Sequence, residues 1–328
     1  MLAKRPPKTL QQAIVYFADP DMALAAMIRF RWPDGVIKCP TCGCEKVAFI
    51  RSRMVWECAE KHPKRQFSVK VGTIMEDSAI KLDKWLVAMW LIANAKNGIS
   101  SYELSRSIGV SQKSAWFMLH RIRLAMQDED GGRLGGSVEV DETYIGGKAR
   151  FMSGERKRRL AAKRPFGGKV PVVGVLQRSP ERGLSRVRTL VLNTPKRLKK
   201  AAMQALVRER VDTGSTVNTD MLRSYVGLDN EYIHNVIDHA KEYAVGNVHT
   251  NGLENYWSLL KRMLRGTYVA VEPFHLFRYL DEQAFRFNNR KLTDAARFAL
   301  AAGSVFGKRL TWNGLTAADA TPGSVGTL

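Results

Sequence analysis

Three acidic residues in the second half of the chain are the strongest candidates for chemistry. Asp141 and Asp220 each follow a run of apolar, strand-forming residues, and Glu254 lies in a stretch with helical periodicity. Three converging carboxylates would repel one another unless hard divalent cations lay between them, and Mg²⁺ binds oxygen ligands while keeping positions open for phosphate and water. Two such ions about 4 Å apart activate a water or a 3′-hydroxyl and stabilise the leaving oxygen of a phosphodiester. The sequence therefore predicts a metal-dependent reaction on a phosphodiester.

A lysine in the same helical stretch as Glu254 is a further candidate for chemistry. Lys261 follows Glu254 by seven residues, or two helical turns, so the two side chains project to nearly the same side. Residues 249–268 also carry an apolar stripe that predicts packing on a core: Leu253, Trp257, Leu260 and Leu264. Taken by itself, the Glu254 and Lys261 pair is better explained as a surface ion pair or a solvated face.

The two aspartates depend on strands for their positions. We predict that a strand over Ser137–Tyr144 ends near Asp141 and that a strand over residues 215–219 ends at Asp220. If these strands are neighbours in one sheet, the carboxylates meet at one edge, where open α/β sheets place their sites. The alternative is structural, because other acids flank Asp141 and Asp220 could cap the turn that follows it.

The elements after residue 136 alternate between strand and helix. Their predicted order is three strands, a helix, two strands and the helix around Glu254, which gives an α/β domain over residues 137–295. Residues 150–169 hold eight Lys and Arg against one Glu and are predicted to form a basic loop. Residues 296–328 are predicted to form a C-terminal tail, whose last twenty-odd residues are rich in Gly and Ala and are expected to be loosely docked or frayed.

A second group of candidate ligands lies near the N-terminus. All four cysteines fall within twenty residues, which is not how a disulfide framework is distributed: Cys39, Cys42, Cys44 and Cys58. Cys39 and Cys42 form a C-x2-C pair that offers zinc two donors at a turn, and Cys58 with His62 completes a Cys3His set. Cys44 could compete for the fourth position. Four incidental thiols are the alternative to a zinc site.

The zinc ribbon, predicted over residues 36–80, lies between two helical segments over residues 1–35 and 81–127. In the second segment, Ser100–Glu103 has the form of a capping box and Gly109 makes a short turn before a longer helix. That helix carries a polar and basic side: Gln112, Lys113, Ser114, His120, Arg121 and Arg123. This pattern is typical of a helix-turn-helix, whose second helix enters the major groove of DNA. An ordinary three-helix packing unit is the alternative.

The composition indicates a polyanionic partner. Lys and Arg number 52 and Asp and Glu number 31, a net charge of +21 with a pI near 10. Such an excess favours nucleic acid as the partner. With 328 residues, 45% of them apolar, the chain is long enough for one sizeable core and one or two small modules. No apolar run approaches the roughly 18 residues of a membrane span, and we expect a cytoplasmic protein in a reducing compartment.

Several motifs resemble those of one family, the DDE-type insertion-sequence transposases. The three acidic motifs are Val140–Lys148, Asn218–Asp220 and Asn251–Arg262. Upstream, Cys39–Cys42 and Gln66–Ile74 resemble the N-terminal zinc ribbon of one prokaryotic branch. The resemblance extends over roughly residues 15–310.

This resemblance implies a ribonuclease H-like mixed sheet with flanking helices, Mg²⁺ or Mn²⁺ dependence, and DNA strand cleavage and transfer at element ends. It makes Asp141 and Asp220 shared metal ligands, Glu254 the third ligand, and Lys261 a contact to DNA phosphate or the scissile group. The implied partners are terminal inverted repeats, target DNA and further copies of the chain. Relatives often have C-x2-C in the second zinc half-site, where this chain has Cys58 and His62.

Two other functions fit parts of the pattern. A zinc-ribbon and helix-turn-helix regulator derived from such an element would bind DNA without catalysis, but it has no reason to keep three converging acids. A nuclease or resolvase-like enzyme that cuts without joining would use the same carboxylates.

Overall fold

The computed structural model divides into two compact units. The first combines the described residues of Met1–Gln127 and Leu292–Leu328, and the second those of Asp128–Lys291. The structure describes residues 5–128, 131–146, 154–155, 158, 169–179, 181, 184–192, 200–220, 225, 227–229, 231–237 and 249–316. Most of the predicted basic loop, 150–169, lies outside these ranges. So does the start of the helix that is predicted after the third strand. Among the described helices, none is both long enough and apolar enough to span a membrane.

The first unit begins with two helices, a small sheet and three more helices. They are α1 Leu10–Phe17, α2 Pro20–Arg31, β1 Val47–Ile50, β2 Val55–Cys58, β3 Gln66–Phe67, α3 Leu82–Asn94, α4 Ser101–Ile108 and α5 Gln112–Ala125. The strands form an antiparallel sheet in the order β1-β2-β3. The N-terminal helical segment is broken in two because Asp19 caps α2 and Pro20 takes its first position.

Helices α4 and α5 are joined by a tight turn. Gly109 ends α4 in the left-handed region, with φ of 61°, which glycine adopts without steric cost. The hydroxyl of Ser100 accepts a hydrogen bond of 3.1 Å from the backbone N–H of Glu103, and Ser111 caps α5 in the same way through Ser114. The caps and the turn therefore form as the sequence predicts.

The basic side predicted for α5 is wrong for three of its six residues. His120, Arg121 and Arg123 are buried in the first unit. Arg121 donates hydrogen bonds of 3.0 Å to the backbone oxygens of Leu310 and Glu76. These groups interact within the fold and are not presented to DNA, because residues distant in sequence cover this part of the helix.

The second unit is built on a five-stranded mixed sheet with the order β6-β5-β4-β7-β8. Its strands are β4 Ser137–Ile145, β5 Val170–Gln177, β6 Arg186–Val191, β7 Thr216–Asp220 and β8 Ile233–Ile237, with α6 Lys200–Arg210 between β6 and β7. Strand β4 pairs antiparallel with β5 and parallel with β7, and β7 pairs parallel with β8. The predicted element order and the ribonuclease H-like mixed sheet are confirmed.

Helices cover both faces of this sheet. Helix α7, Asn251–Met263, and helix α8, Leu276–Asn288, pack on one face, and α6 packs on the other. Strand β5 is apolar along nearly its whole length because both of its faces are buried. The stripe predicted for α7 is confirmed, since its four members are at most 8% exposed: Leu253, Trp257, Leu260 and Leu264.

The C-terminal residues are not a loose tail where the structure describes them. Helix α9, Asp294–Gly303, and helix α10, Trp312–Thr316, return to the first unit. Phe298 is buried with its ring 5.1 Å from the ring of Trp90 in α3. The prediction for 296–328 is therefore wrong up to residue 316, because the small alanines of α9 let it pack closely on α3; residues 317–328 lie outside the description.

Candidate metal centres

Asp141 and Asp220 lie side by side on neighbouring parallel strands. Val140 of β4 pairs with Thr219 of β7, so the aspartates occupy the next position on each strand. Carboxylate oxygens of Asp141, Asp220 and Glu142 all lie within 4.8 Å of one another. This places three acids at one edge of the sheet.

Asp141 does not end its strand, which corrects the sequence prediction. Strand β4 continues to Ile145 because its antiparallel pairing with β5 extends to Val170. The edge arises instead from β7, whose last residue is Asp220. The carboxylates meet where the parallel pairing of β4 with β7 stops.

Both carboxylate oxygens of Asp141 accept hydrogen bonds from fixed donors. The backbone N–H of Glu142 donates to Oδ1 at 2.8 Å, and the indole N–H of Trp257 donates to Oδ2 at 2.9 Å. Burial raises the pKa of Asp141 to about 6; these two hydrogen bonds oppose the shift, and the charges of Asp220 and Glu254 add to it.

Glu142 is the third member of the cluster, and the sequence analysis did not single it out. Its Oε1 accepts a hydrogen bond from the hydroxyl of Tyr225, and its Oε2 is buried without a hydrogen-bond partner within the described part of the chain. Burial, with the charges of Asp220 and Asp141 adding to it, raises the pKa of Glu142 to about 7, while the hydrogen bond from Tyr225 opposes the shift. A buried, unpartnered carboxylate oxygen beside two other acids fits a divalent cation.

Glu254 is exposed in the first turn of α7. Its charge contributes to the raised pKa of Asp141, so it faces the cluster, but it is not one of the three acids within 4.8 Å. Lys261 is partly exposed two turns further along the same helix. Their roles as third metal ligand and phosphate contact stay predictions.

A fourth acid, Glu139, holds helix α7 against β4. It is 1% exposed, its Oε2 accepts a hydrogen bond of 2.8 Å from the backbone N–H of Leu253, and its Oε1 accepts one of 2.7 Å from Nε of Arg178. A Cβ at Gly252 would lie 2.9 Å from Oε2 of Glu139, so the helix approaches this closely only with glycine there. Sequence periodicity gave no sign of this contact.

The first unit gathers a separate set of ligands in the zinc ribbon. Ligand atoms of four residues lie within 4.8 Å of one another: Cys39, Cys42, Cys58 and His62. Sγ of Cys42 is 3.6 Å from Sγ of Cys58, and Sγ of Cys39 is 3.4 Å from Nε2 of His62. The three cysteines are free thiols, and these separations are close to the roughly 3.5 to 3.8 Å between ligand atoms of tetrahedral zinc.

The contacts of His62 and Cys44 bear on the fourth zinc ligand. Nδ1 of His62 lies 2.8 Å from the carbonyl oxygen of Pro63, which only accepts, so Nδ1 carries the proton and Nε2 is left to bind a metal. Cys44 lies outside the group of four, with Sγ 3.8 Å from the carbonyl oxygen of Lys46. The geometry therefore favours His62.

Comparisons with known proteins match one family domain in each unit. The profile of the ISXO2-like transposase domain matches residues 133–288, and that of a transposase zinc-ribbon domain matches residues 19–60. The chain is 30% identical over 260 residues to a protein in transposable element ISH50 of Halobacterium salinarum, covering 76% of this chain and 84% of that protein. It is 36% identical over 93 residues to a transposase-like protein of Haemophilus influenzae, covering 28% of this chain and 75% of that protein. No solved structure is significantly similar.

Proposed function

The chain belongs to the ISXO2-like family of insertion-sequence transposases, and we propose that it cleaves DNA at the ends of an insertion sequence and transfers the strand to target DNA. The observation that carries this proposal is the acidic cluster at the edge of the sheet. Asp141 and Asp220 lie on neighbouring strands with Glu142 beside them, and one buried oxygen of Glu142 has no hydrogen-bond partner among the described residues. Glu139 and Glu282, two other buried acids of this unit, lie in ion pairs with arginines, whereas the clustered acids lie beside one another, which favours a bound cation.

Asp141 and Asp220 are the residues that would hold Mg²⁺ or Mn²⁺, with Glu254 as the third ligand. The bound cation would supply charge stabilisation to the attacking and leaving oxygens of the phosphodiester. Trp257 and the backbone N–H of Glu142 hold the carboxylate of Asp141 in one orientation. Lys261, on the same side of α7 as Glu254, would bind a DNA phosphate near the scissile bond.

The first unit would bind DNA. The Cys3His set would hold one Zn²⁺ and so stabilise the ribbon: Cys39, Cys42, Cys58 and His62. Lys113, which is exposed in the first turn of α5 with its ammonium 4.5 Å from the ring of Trp312, would contact the major groove if α4 and α5 act as a helix-turn-helix. The recognised DNA would be the terminal inverted repeats and the target, in the cytoplasm, with two or more copies of the chain joining the two ends.

The acidic cluster also bears on the other candidate functions. A DNA-binding regulator without catalysis would not need the acids to converge, so the cluster of Asp141, Glu142 and Asp220 disfavours it. A nuclease that cuts without joining would use the same acids. The products of the reaction distinguish these functions, since only a transposase joins the cut end to a second DNA.

The test is incubation of the protein with labelled linear DNA that carries the flanking terminal inverted repeats, with and without Mg²⁺, and mapping of cut and joined products. Asp141→Asn, Asp220→Asn and Glu254→Gln should each lower cleavage by at least about a thousandfold, as expected for groups that act on the transition state. DNA binding should be retained. Glu142→Gln measures whether Glu142 is also required.

A matched control removes an acid elsewhere in the same unit. Glu209 is 68% exposed on α6, and Glu209→Gln should cleave like wild type. Full cleavage by the Asp141 or Asp220 variant would overturn the metal centre. Cleavage without joining, under conditions that supply target DNA, would favour the nuclease.

A further inference from the structure

We propose that Trp257 is a positioning residue that orients Asp141 for metal binding, and that Gly174 is required because it leaves room for the indole. The proposal rests on the metal centre of the proposed function. It adds to that centre a residue on α7 and a residue on β5, neither of which offers a ligand atom.

The hydrogen bond between Trp257 and Asp141 is buried and well formed. Trp257 is 4% exposed, and its Nε1 lies 2.9 Å from Oδ2 of Asp141. The second oxygen, Oδ1, is held at 2.8 Å by the backbone N–H of Glu142. A carboxylate oxygen has two lone pairs, so each oxygen keeps one for a cation while the donors fix the plane of the group. The carboxylate is therefore oriented before any cation binds.

Gly174 is the cross-strand neighbour of Asp141 in β5. A Cβ at this position would lie 2.7 Å from Cζ2 of Trp257 and 2.7 Å from Cδ2 of Leu253, closer than side chains approach one another. Glycine weakens the interior of a strand, and here it stands in a strand otherwise dominated by valine. Its role is to leave a gap on the sheet face through which the indole reaches the neighbouring strand.

A second hydrogen bond fixes the same helix on the same strand. Glu139 and Asp141 are two residues apart on one face of β4, about 6.6 Å along the strand. Leu253 and Trp257 are four residues apart on α7, about 6 Å along the helix. The Glu139–Leu253 and Asp141–Trp257 hydrogen bonds, at 2.8 and 2.9 Å, thus match in spacing and hold α7 in one register. That register also determines the position of Glu254 relative to the acidic cluster.

A purely packing role for Trp257 makes a different prediction. Its ring belongs to the core beneath α7 and lies 5.3 Å from the ring of Tyr256. If packing were its whole role, replacing it by another aromatic residue would change stability but not the affinity for metal. Trp257→Phe separates the two, because it keeps an apolar ring and removes the N–H.

The experiment is a titration of the full-length protein with Mn²⁺ at pH 8, with free Mn²⁺ measured by electron paramagnetic resonance. We expect Trp257→Phe to weaken Mn²⁺ binding at least about tenfold, the loss typical when a group that orients a metal ligand is removed. Gly174→Ala, which leaves the indole intact but displaces it, should weaken binding in the same direction. Asp141→Asn should abolish binding at this centre.

Tyr268→Phe is the matched control. It removes a side-chain hydrogen bond of 2.6 Å to Glu282 in the same unit and touches none of the clustered acids, so Mn²⁺ affinity should stay at the wild-type value. Thermal unfolding of each variant shows whether it is folded. Gly174→Ala provides the test if Trp257→Phe does not fold.

The outcomes separate this proposal from the proposed function. If wild type binds Mn²⁺ through Asp141 but Trp257→Phe and Gly174→Ala bind equally well, Trp257 is a packing residue and the inference is overturned. An equal loss in Tyr268→Phe would also overturn it, because the effect would then follow general stability. If wild type shows no Mn²⁺ binding that depends on Asp141, the metal centre itself fails, and the inference with it.

Discussion

The backbone N–H of Leu253 donates a hydrogen bond of 2.8 Å to the buried carboxylate of Glu139. The contact joins the first turn of α7 to β4, and the positive end of the helix dipole favours a carboxylate there. Nε of Arg178 lies 2.7 Å from Oε1 of Glu139 and compensates the charge of the carboxylate. The side chain of Arg178 is only 18% exposed. A helix predicted from its apolar stripe is thus held in place by a buried acid on the central strand.

Replacing Glu139 by alanine should destabilise the second unit. The variant leaves Arg178 without its buried partner and removes the cap of α7. Removing one member of a buried ion pair costs about 3 to 5 kcal/mol. Urea unfolding measures the loss. Glu231→Ala is the control. The side chains of Glu231 and Arg208 are 37% and 42% exposed, so their ion pair contributes about 1 kcal/mol or less to the free energy of unfolding. Equal losses in both variants would contradict a special role for Glu139.

The stabilisation of the protein by Mn²⁺ should depend on pH. The pKa values of Asp141 and Glu142 are raised to about 6 and about 7 from ordinary values of 3.8 and 4.5, so the folded state holds more protons than the unfolded state between about pH 4 and 7. Stability in the absence of metal therefore falls as pH rises through this window. Asp220, Glu254 and Tyr225 are the other titratable groups that face the pair.

A cation must displace those protons to bind, so its effect grows with pH. We expect the Mn²⁺-induced rise in Tm to be small at pH 5.5 and larger at pH 8. The measurement is thermal unfolding with and without Mn²⁺, and Glu142→Gln should remove the part of the dependence near pH 7. The same rise in Tm at both pH values would argue against binding at these acids.

The ribbon should contain about one zinc per chain by elemental analysis. Cys39→Ser and His62→Asn should lower the zinc content, because both side chains belong to the group within 4.8 Å. Cys44→Ser is the control and should keep its zinc. A loss of zinc in Cys44→Ser with retention in His62→Asn would make Cys44 the fourth ligand.

Lys261→Ala should impair catalysis more than DNA binding. We expect cleavage to fall about a hundredfold, as when one group that stabilises developing charge is removed. Affinity should change little, because the chain has 52 Lys and Arg to supply salt-dependent binding. Arg262→Ala is the control, since Arg262 is exposed about 100° further round the same helix. Equal effects of the two substitutions would reduce Lys261 to one of many surface cations.

The sequence by itself determined the features that depend on consecutive residues. The C-x2-C pair at Cys39, the helical stripe at Leu253 and the strand that ends at Asp220 all follow from local spacing. Periodicity indicates which residues lie on one face of an element, and short motifs indicate which ligands lie at one turn. These patterns were sufficient for the α/β element order and the zinc ribbon, and the short motifs carried the resemblance to the family and its mixed sheet.

Only the tertiary structure decided which side chains meet across elements. Trp257 reaches Asp141 over 116 residues of sequence because Gly174, on a third element, leaves room for its ring. Glu142 joins the acids because its strand continues past the end of β7, although alternation along a strand predicts that it points away from Asp141. These contacts depend on the register between packed elements, a property that no single segment of the chain contains.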